Sequence, residues 1–118
     1  MGYYMQDMPG DAPARLAERS VPAYWIVKGC IRDPMRLSLY NDSATEILDS
    51  FGAEIIARSV RECPEKGCPI EIRAIVRFAS LTEAQGCLDS RRLRSISDLY
   101  ADVCEWSVVI VAGIGRDF

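Results

Sequence analysis

The fold is decided by two short apolar stretches, Tyr24-Trp25-Ile26-Val27 and Val108-Val109-Ile110-Val111. Both have the β-branched and aromatic composition of strands, yet neither alternates between polar and apolar residues. A strand that lacks this alternation is covered on both faces of its sheet. Helices of the same chain can cover one face of these strands, so the other face needs a partner.

The composition is that of one ordinary globular domain. The chain has 118 residues, of which 49% are hydrophobic and 26% are charged, and a domain of this length can bury its own core. The net charge of −3 argues against binding to nucleic acid, whose phosphates attract basic surfaces. No apolar run approaches the ~18 residues of a membrane span, and residues 1–20 do not have the charge and apolar pattern expected of a secretory signal. We therefore expect a cytoplasmic protein with no nucleic-acid or membrane partner.

Histidine is absent from the sequence, which excludes a histidine-based triad and the commonest ligand of zinc. The sequence has five cysteines, and this odd number favours reduced thiols over a set of disulfides. Cys30, Cys87 and Cys104 lie in apolar segments and are interpreted as small core residues. Cys63 and Cys68 lack the Cys-x-x-Cys spacing, which favours two loop thiols over a redox pair or half of a metal site. We expect no metal and no cofactor.

The first half of the chain predicts a strand followed by a helix. Residues 1–20 show no clear period and are expected to form a flexible N-terminal arm ahead of a domain over 21–118. A strand is predicted over 22–31. A helix should follow, capped by Asp33 and with Pro34 in its first turn. It should end at Gly52, in the left-handed conformation that favours glycine.

The second half predicts two strands, a helix and a final strand. A strand is expected over 53–59, with Glu54 and Arg58 on the same face. Another is expected over 70–79, with Ile72 and Val76 on the face that packs under the helices. A capping box that begins at Ser80 starts the next helix, which should break near Ser90 or continue there as a second helix in tandem. The last strand is predicted over 106–112.

This order predicts an α+β fold of the ferredoxin-like β-α-β-β-α-β type. Right-handed crossovers place the first and third strands in the middle of a four-stranded antiparallel sheet, with two helices on one face. An uncovered apolar face would be an interaction site. We therefore expect a two-fold homodimer in which the sheets pack face to face through Trp25, Val27, Val109 and Val111 or their neighbours of opposite parity.

Several short motifs also occur in the order and spacing of a known bacterial family. They are Ala23-Tyr24-Trp25-Ile26-Val27, Asp33-Pro34, Tyr40, Phe51-Gly52, Ile56-Ala57-Arg58, Phe78-Ala79-Ser80, Ala84, Ser90 and Ala112-Gly113. Over residues 22–113 they resemble the domain of unknown function 1330, a family of the dimeric α/β-barrel superfamily. The resemblance implies a dimeric barrel, whose relatives often hold small organic molecules between sheet and helices. The chain departs from the family pattern at Cys87-Leu88, where the family usually has Trp-Tyr, and at Arg77.

Four side chains are candidate ligand-binding residues: Tyr24, Tyr40, Arg58 and Arg73. The two arginines could bind a carboxylate through paired hydrogen bonds. Tyr40 could position a substrate or act as a weak acid. The alternatives are a core position for Tyr40 and an ion pair between Arg58 and a glutamate of the predicted hairpin.

Two functions remain open at this point. The first is a homodimeric protein that binds a small acidic or aromatic ligand or has only a structural role. The alternative is a cofactor-independent enzyme, monooxygenase- or isomerase-like, which acts on a small organic substrate. A buried pocket that gathers two or more of the four candidate side chains would favour the enzyme.

Overall fold

The computed structural model describes residues 21–63 and 67–114, so the predicted N-terminal arm lies outside the described residues. The elements in chain order are β1 (Ala23–Ile31), α1 (Pro34–Ser50), β2 (Glu54–Cys63), β3 (Cys68–Phe78), α2 (Leu81–Asp89), α3 (Arg91–Leu99) and β4 (Cys104–Ala112). All strand pairs are antiparallel, in the order β2-β3-β1-β4. The predicted α+β, ferredoxin-like fold, with the first and third strands in the centre, is confirmed.

The ends of α1 follow from local chemistry. Pro34 stands in the first turn, where its fixed φ and missing N–H fit. The predicted side-chain cap by Asp33 is wrong: its carboxylate makes no capping hydrogen bond and lies 4.0 Å from Arg36 instead. Gly52 has a φ of 69°, as predicted for the residue that ends this helix. No helix in the described ranges has both the length and the apolar character needed to cross a bilayer.

The second predicted helix is two helices in tandem, divided at Ser90. Ser80 Oγ accepts a hydrogen bond from the Glu83 N–H at 3.2 Å and starts α2. Ser90 adopts an extended backbone and its Oγ accepts from the Leu93 N–H at 3.2 Å, which starts α3. The break therefore comes from a second N-cap within the run.

The helices cover one face of the sheet. Ala23, Trp25 and Ile31 of β1 point to this side and are buried, as is Phe78 of β3. Trp25 Nε1 donates a buried hydrogen bond to the Ala84 carbonyl at 3.1 Å, which fixes α2 against the sheet. This is the predicted helix face.

The opposite face, which we call the open face, carries no helix of the described residues. A continuous apolar row crosses all four strands on this side, because Ala57, Ile75, Ile26 and Val109 are successive register partners. Ile26 and Val109 are 43% and 59% exposed. The sheet therefore presents an apolar band that its own helices do not cover.

The residues predicted for the interface do not all lie on this face. Trp25 and Val27 point to the helices, whereas Val109 and Val111 belong to the open face. The antiparallel register aligns β1 with β4 so that β1 contributes its residues of opposite parity, including Ile26. Only the second of the two parities considered for β1 is therefore correct.

Two cysteines form a disulfide that joins β1 to β3. Cys30 and Cys68 are 38 positions apart, and their Cα atoms are separated by 5.7 Å. The predictions of reduced thiols and of a core position for Cys30 are wrong for this pair, because strand pairing brings distant segments together. Cys87 and Cys104 are free and buried, as predicted. Cys63 is the register partner of Cys68 in the β2–β3 hairpin.

Candidate ligand-binding cavity

A cavity of about 410 Å³ lies between the sheet and the helices. Its floor is a row of register partners that crosses the sheet from edge to edge: Arg58, Ala74, Val27 and Val108. The two central members are small, so side chains of the sheet leave the middle of the row open. The volume falls within the range of about 300–1,000 Å³ that is typical of small-molecule sites.

Aromatic side chains form one wall of the cavity. Trp106 lies across Gly29, where a Cβ atom would overlap its six-membered ring. Tyr40 from α1 stacks on Trp106, with ring centroids 5.6 Å apart and ring planes 21° apart. Glycine is therefore required at this register position so that the indole can lie flat on the sheet and support Tyr40.

Tyr40 is buried and keeps its proton. Burial raises the pKa of its phenol well above the ordinary value of 10.0; the nearby Cys104 adds to this, and a hydrogen bond with Ser97 partly opposes it. A phenol in this state donates or accepts hydrogen bonds but does not act as a base near neutral pH. The predicted core position of Tyr40 is confirmed, whereas its predicted role in ligand binding stays a prediction.

The mouth of the cavity is polar, and the part of the chain that the structure describes places one unpaired cation there. Arg58, Asn41 and Thr45 line it and are exposed. Among the described residues, Arg58 has no hydrogen bond and no ion pair. The predicted pairing of Arg58 with a hairpin glutamate is therefore wrong.

A β-bulge explains the position of Arg58. The register of β2 against β3 shifts between Ile55 and Ala57. Strict alternation places Glu54 and Arg58 on the same face, but the extra residue turns Glu54 to the open face and Arg58 to the cavity.

The cavity brings together two of the four predicted site residues. Tyr40 and Arg58 line it, whereas Tyr24 and Arg73 lie on the open face. Arg73 Nε is 2.6 Å from Glu71 Oε2 and forms an ion pair there. Arg58 and Arg73 both line a second hollow, on the open face, whereas the cavity itself offers only Arg58 to a carboxylate among its described lining residues.

Sequence reasoning missed three polar side chains of the cavity, Asn41, Thr45 and Ser97. The first two are four residues apart and flank the apolar stripe of α1, a spacing that places them on one side of the helix. That signal was present in the sequence, but the side of the helix facing the mouth depends on how α1 packs.

The described lining of the cavity contains hydrogen-bond donors but no carboxylate, and the sequence has no histidine. Within the described residues, no group of three or more histidine, cysteine, aspartate or glutamate side chains could hold a metal ion. The arrangement can bind an anion or a polar head group and enclose an apolar body.

The sequence profile of one family, "Domain of unknown function (DUF1330)", matches residues 22–114, most of the chain. The chain belongs to the DUF1330 family. No curated protein is a detectable sequence relative.

Solved structures share the fold of this DUF1330 chain at low identity. A conserved protein from Methanosarcina mazei is 11% identical with a TM-score of 0.50, and the match covers 86% of this chain and 99% of that one. A protein of unknown function from Rhodopseudomonas palustris is 8% identical with a TM-score of 0.55, covering 89% and 93%. SnoaB, a cofactor-independent oxygenase from Streptomyces nogalater, is 5% identical with a TM-score of 0.53, covering 80% and 93%. These likenesses show a common fold.

The departure from the DUF1330 pattern at Cys87-Leu88 lies beside the cavity. Cys87 is fully buried in the core, and Leu88 lines the cavity. Both side chains are smaller than the Trp-Tyr pair usual in the family. At this end the cavity is therefore lined by the aliphatic side chain of Leu88, and Cys87 does not reach it.

Proposed function

We propose that the protein binds a small organic acid in this cavity, with the carboxylate at the mouth and the apolar body inside. The observation that carries the proposal is Arg58, a guanidinium without a partner among the described residues, at the entrance to a largely apolar cavity. A guanidinium presents parallel N–H groups that match the two oxygens of a carboxylate. Asn41 and Thr45 of α1 add further hydrogen-bond donors to the lining.

The interior favours a compact, aromatic body. Trp25, Tyr40 and Trp106 line it together with aliphatic side chains such as Val76 and Leu93. Offset or edge contacts between a flat ring and the aromatic walls add binding free energy to that of the apolar area that the ring buries. A carboxylic acid with one or two aromatic rings combines both requirements.

The test compares two probes of the same shape, 2-naphthoate and the neutral 2-naphthamide. We expect the protein to bind the acid about tenfold more tightly, because a hydrogen bond to a charged group contributes about 1.5–3 kcal/mol. Quenching of tryptophan fluorescence gives the dissociation constants, since Trp25 and Trp106 line the cavity. Arg58→Gln should remove the preference for the acid.

Two further variants make this test specific. Arg91 is an exposed arginine on α3 outside the cavity lining, and Arg91→Gln should leave the preference unchanged. Ala74→Phe fills the floor and should weaken the binding of both probes. Equal affinities of the wild-type protein for the acid and the amide would contradict the proposal.

We propose further that the protein is a homodimer whose two subunits pack together through their open faces. The apolar row through Ile26 and Val109 supports this, because monomers seldom expose a contiguous apolar band across a whole sheet. An isologous contact would bring the same row of a second copy onto it. The ligand cavity lies on the other side of the sheet, so each subunit would keep its own site.

A second candidate is a cofactor-independent enzyme acting on the same class of molecule. The convergence of Tyr40 and Arg58 in one cavity favours an enzyme. SnoaB, which shares the fold, is a cofactor-independent oxygenase. Because the described lining offers donors without a carboxylate base, the substrate would be one that ionises on its own. Protein-dependent oxygen uptake with 1,4-dihydroxy-2-naphthoate, reduced in Tyr40→Phe, would support catalysis; uptake at the buffer rate would contradict it.

A further inference from the structure

The cavity holds a pair of hydroxyl groups in addition to the guanidinium of Arg58. Tyr40 of α1 and Ser97 of α3 both line the cavity, and a hydrogen bond joins their side chains. Tyr40 is only 7% exposed and Ser97 is half-buried, whereas Asn41 and Thr45 in the same lining are exposed. Bulk water can therefore satisfy the amide and the threonine, but it has little access to the hydroxyl pair.

The hydroxyl pair keeps one hydrogen-bond donor for a ligand. A phenol and a serine hydroxyl carry one proton each, and burial raises the pKa of the Tyr40 phenol, so both protons are present near neutral pH. The hydrogen bond between Tyr40 and Ser97 uses one of them, and the described residues provide no further partner for the other. Because a buried donor without an acceptor is costly, this proton favours a ligand that brings an acceptor into the cavity.

The hydroxyl pair and Arg58 belong to different parts of the cavity. Arg58 lies on the edge strand β2. Tyr40 stacks on Trp106, whose indole lies across Gly29 of the central strand β1. Two strand spacings, about 10 Å in all, separate β2 from β1, and Ala74 of β3 leaves the space between them open. A ligand that reaches both polar groups therefore has an apolar body between two polar ends.

We infer that the ligand is an aromatic acid with a second oxygen, as a hydroxyl or carbonyl group, at the end remote from its carboxylate. Arg58 binds the carboxylate, and the hydroxyl pair of Tyr40 and Ser97 donates a hydrogen bond to the second oxygen. The carboxylate contact rests on the proposed function, whereas the contact with the hydroxyl pair does not depend on the charge of the ligand. Tyr40 and Ser97 thereby select oxygenated ligands over plain hydrocarbon acids.

The experiment compares 6-hydroxy-2-naphthoate with 6-methyl-2-naphthoate, in which a methyl group of similar size replaces the hydroxyl. Isothermal titration calorimetry with the full chain gives the two dissociation constants. We expect the hydroxy acid to bind about fivefold more tightly, because a hydrogen bond between neutral groups changes an equilibrium constant by about that factor. Equal affinities, or tighter binding of the methyl compound, would overturn the inference.

Two variants assign the preference to the hydroxyl pair. Tyr40→Phe keeps the ring that stacks on Trp106 and removes only the phenol hydroxyl, so the two acids should bind with equal affinity. Ser97→Ala removes the other hydroxyl by a change on α3 and should reduce the preference for the hydroxy acid. A full fivefold preference in both variants would show that another group binds the hydroxyl of the ligand.

The matched control is Tyr100→Phe. The ring of Tyr100 meets the ring of Tyr40 edge-on, with centroids 5.9 Å apart, but Tyr100 is outside the described lining of the cavity. This variant therefore removes a neighbouring phenol hydroxyl that the ligand does not contact, and it should keep the fivefold preference. Loss of the preference in Tyr100→Phe as well as in Tyr40→Phe would contradict a direct contact with the Tyr40 hydroxyl.

The corresponding neutral amides distinguish this inference from the proposed function. A preference for hydroxyl over methyl in acids and amides alike, without any preference for acid over amide, would support the hydroxyl contact and contradict the carboxylate site. A preference for the acids without one for the hydroxyl would overturn this inference and support the proposed function. Arg58→Gln should lose the preference for the acids and keep the one for the hydroxyl. No binding of any acid or amide would overturn both.

Discussion

At the scale of single residues, Gly29 shows how an absent side chain builds a site. The indole of Trp106 occupies the space where a Cβ of residue 29 would stand, and Tyr40 stacks on that indole. One missing methyl group therefore sets the position of two aromatic rings of the cavity wall.

Gly29→Ala should lower the free energy of unfolding by about 1–3 kcal/mol, because the added atom forces the indole off the sheet. The control is Gly86→Ala in α2, where a new Cβ meets only Phe51 at an ordinary 3.6 Å. That exchange should stabilise the protein by about 0.5–1 kcal/mol, the usual gain of alanine over glycine within a helix. Urea unfolding measures both, and changes of the same sign would contradict this explanation.

Cys87 makes stability sensitive to alkaline pH. Burial, and secondarily Glu83, raises the pKa of its thiol from 9.0 to about 11. Between these values the unfolded chain loses the proton while the folded chain keeps it, so stability falls as the pH rises. From pH 8.5 to pH 10 the wild-type protein should lose about 1 kcal/mol more than Cys87→Ala. Equal losses in urea unfolding at the two pH values would show that Cys87 does not contribute.

At the scale of elements, the boundaries followed from local rules. Pro34 in the first turn of α1, Gly52 after it and the cap at Ser80 were all predicted correctly from the sequence. The face of the sheet on which Arg58 lies was not predicted correctly, because a bulge at Ile55–Ala57 reverses the alternation of side chains. This bulge leaves no mark in the pattern of residue types. The disulfide was missed although the pairing of β1 with β3 was predicted, because the sequence does not show which positions along the two strands come close together.

The break between α2 and α3 depends on one hydroxyl. Ser90 Oγ donates to the Cys87 carbonyl at 2.9 Å and accepts from the Leu93 N–H at 3.2 Å. Ser90→Ala should therefore cost about 1–2 kcal/mol of stability. Ser95→Ala, on the exposed side of α3, should stay within about 0.5 kcal/mol of the wild type. Thermal or urea unfolding measures the stability of the two variants. Similar small effects of Ser90→Ala and Ser95→Ala would contradict the capping role of Ser90.

At the scale of the whole molecule, the assembly is the main prediction. Ile26→Glu places a charge in the middle of the apolar row on the open face and should convert a dimer into a monomer. Light scattering should give about twice the chain mass of 13.2 kDa for the wild type and a single chain mass for the variant. Leu39→Glu, at an exposed position of α1 on the other side, should leave the dimer intact. A wild-type monomer at micromolar concentration would contradict the predicted dimer.

The topology of the molecule was predictable, but the use of its two faces was only partly so. Alternation in β3 correctly assigned Ile72 and Val76 to the helices. The split of the predicted site, with Tyr40 in the cavity and Tyr24 on the open face, follows from the parity of β1, which is apolar on both sides and so gives no direction.

The floor of the cavity separates two tasks that one binding site usually combines. Arg58 on the edge strand would bind the head group of a ligand. Ala74 and Val27, further along the same row, would set the space for its apolar body. Exchanges at these two positions can lengthen or shorten the acceptable ligand without touching the charge at the entrance. Related chains could therefore diverge in substrate size while keeping one chemistry of recognition, and the same positions are where a designer would begin.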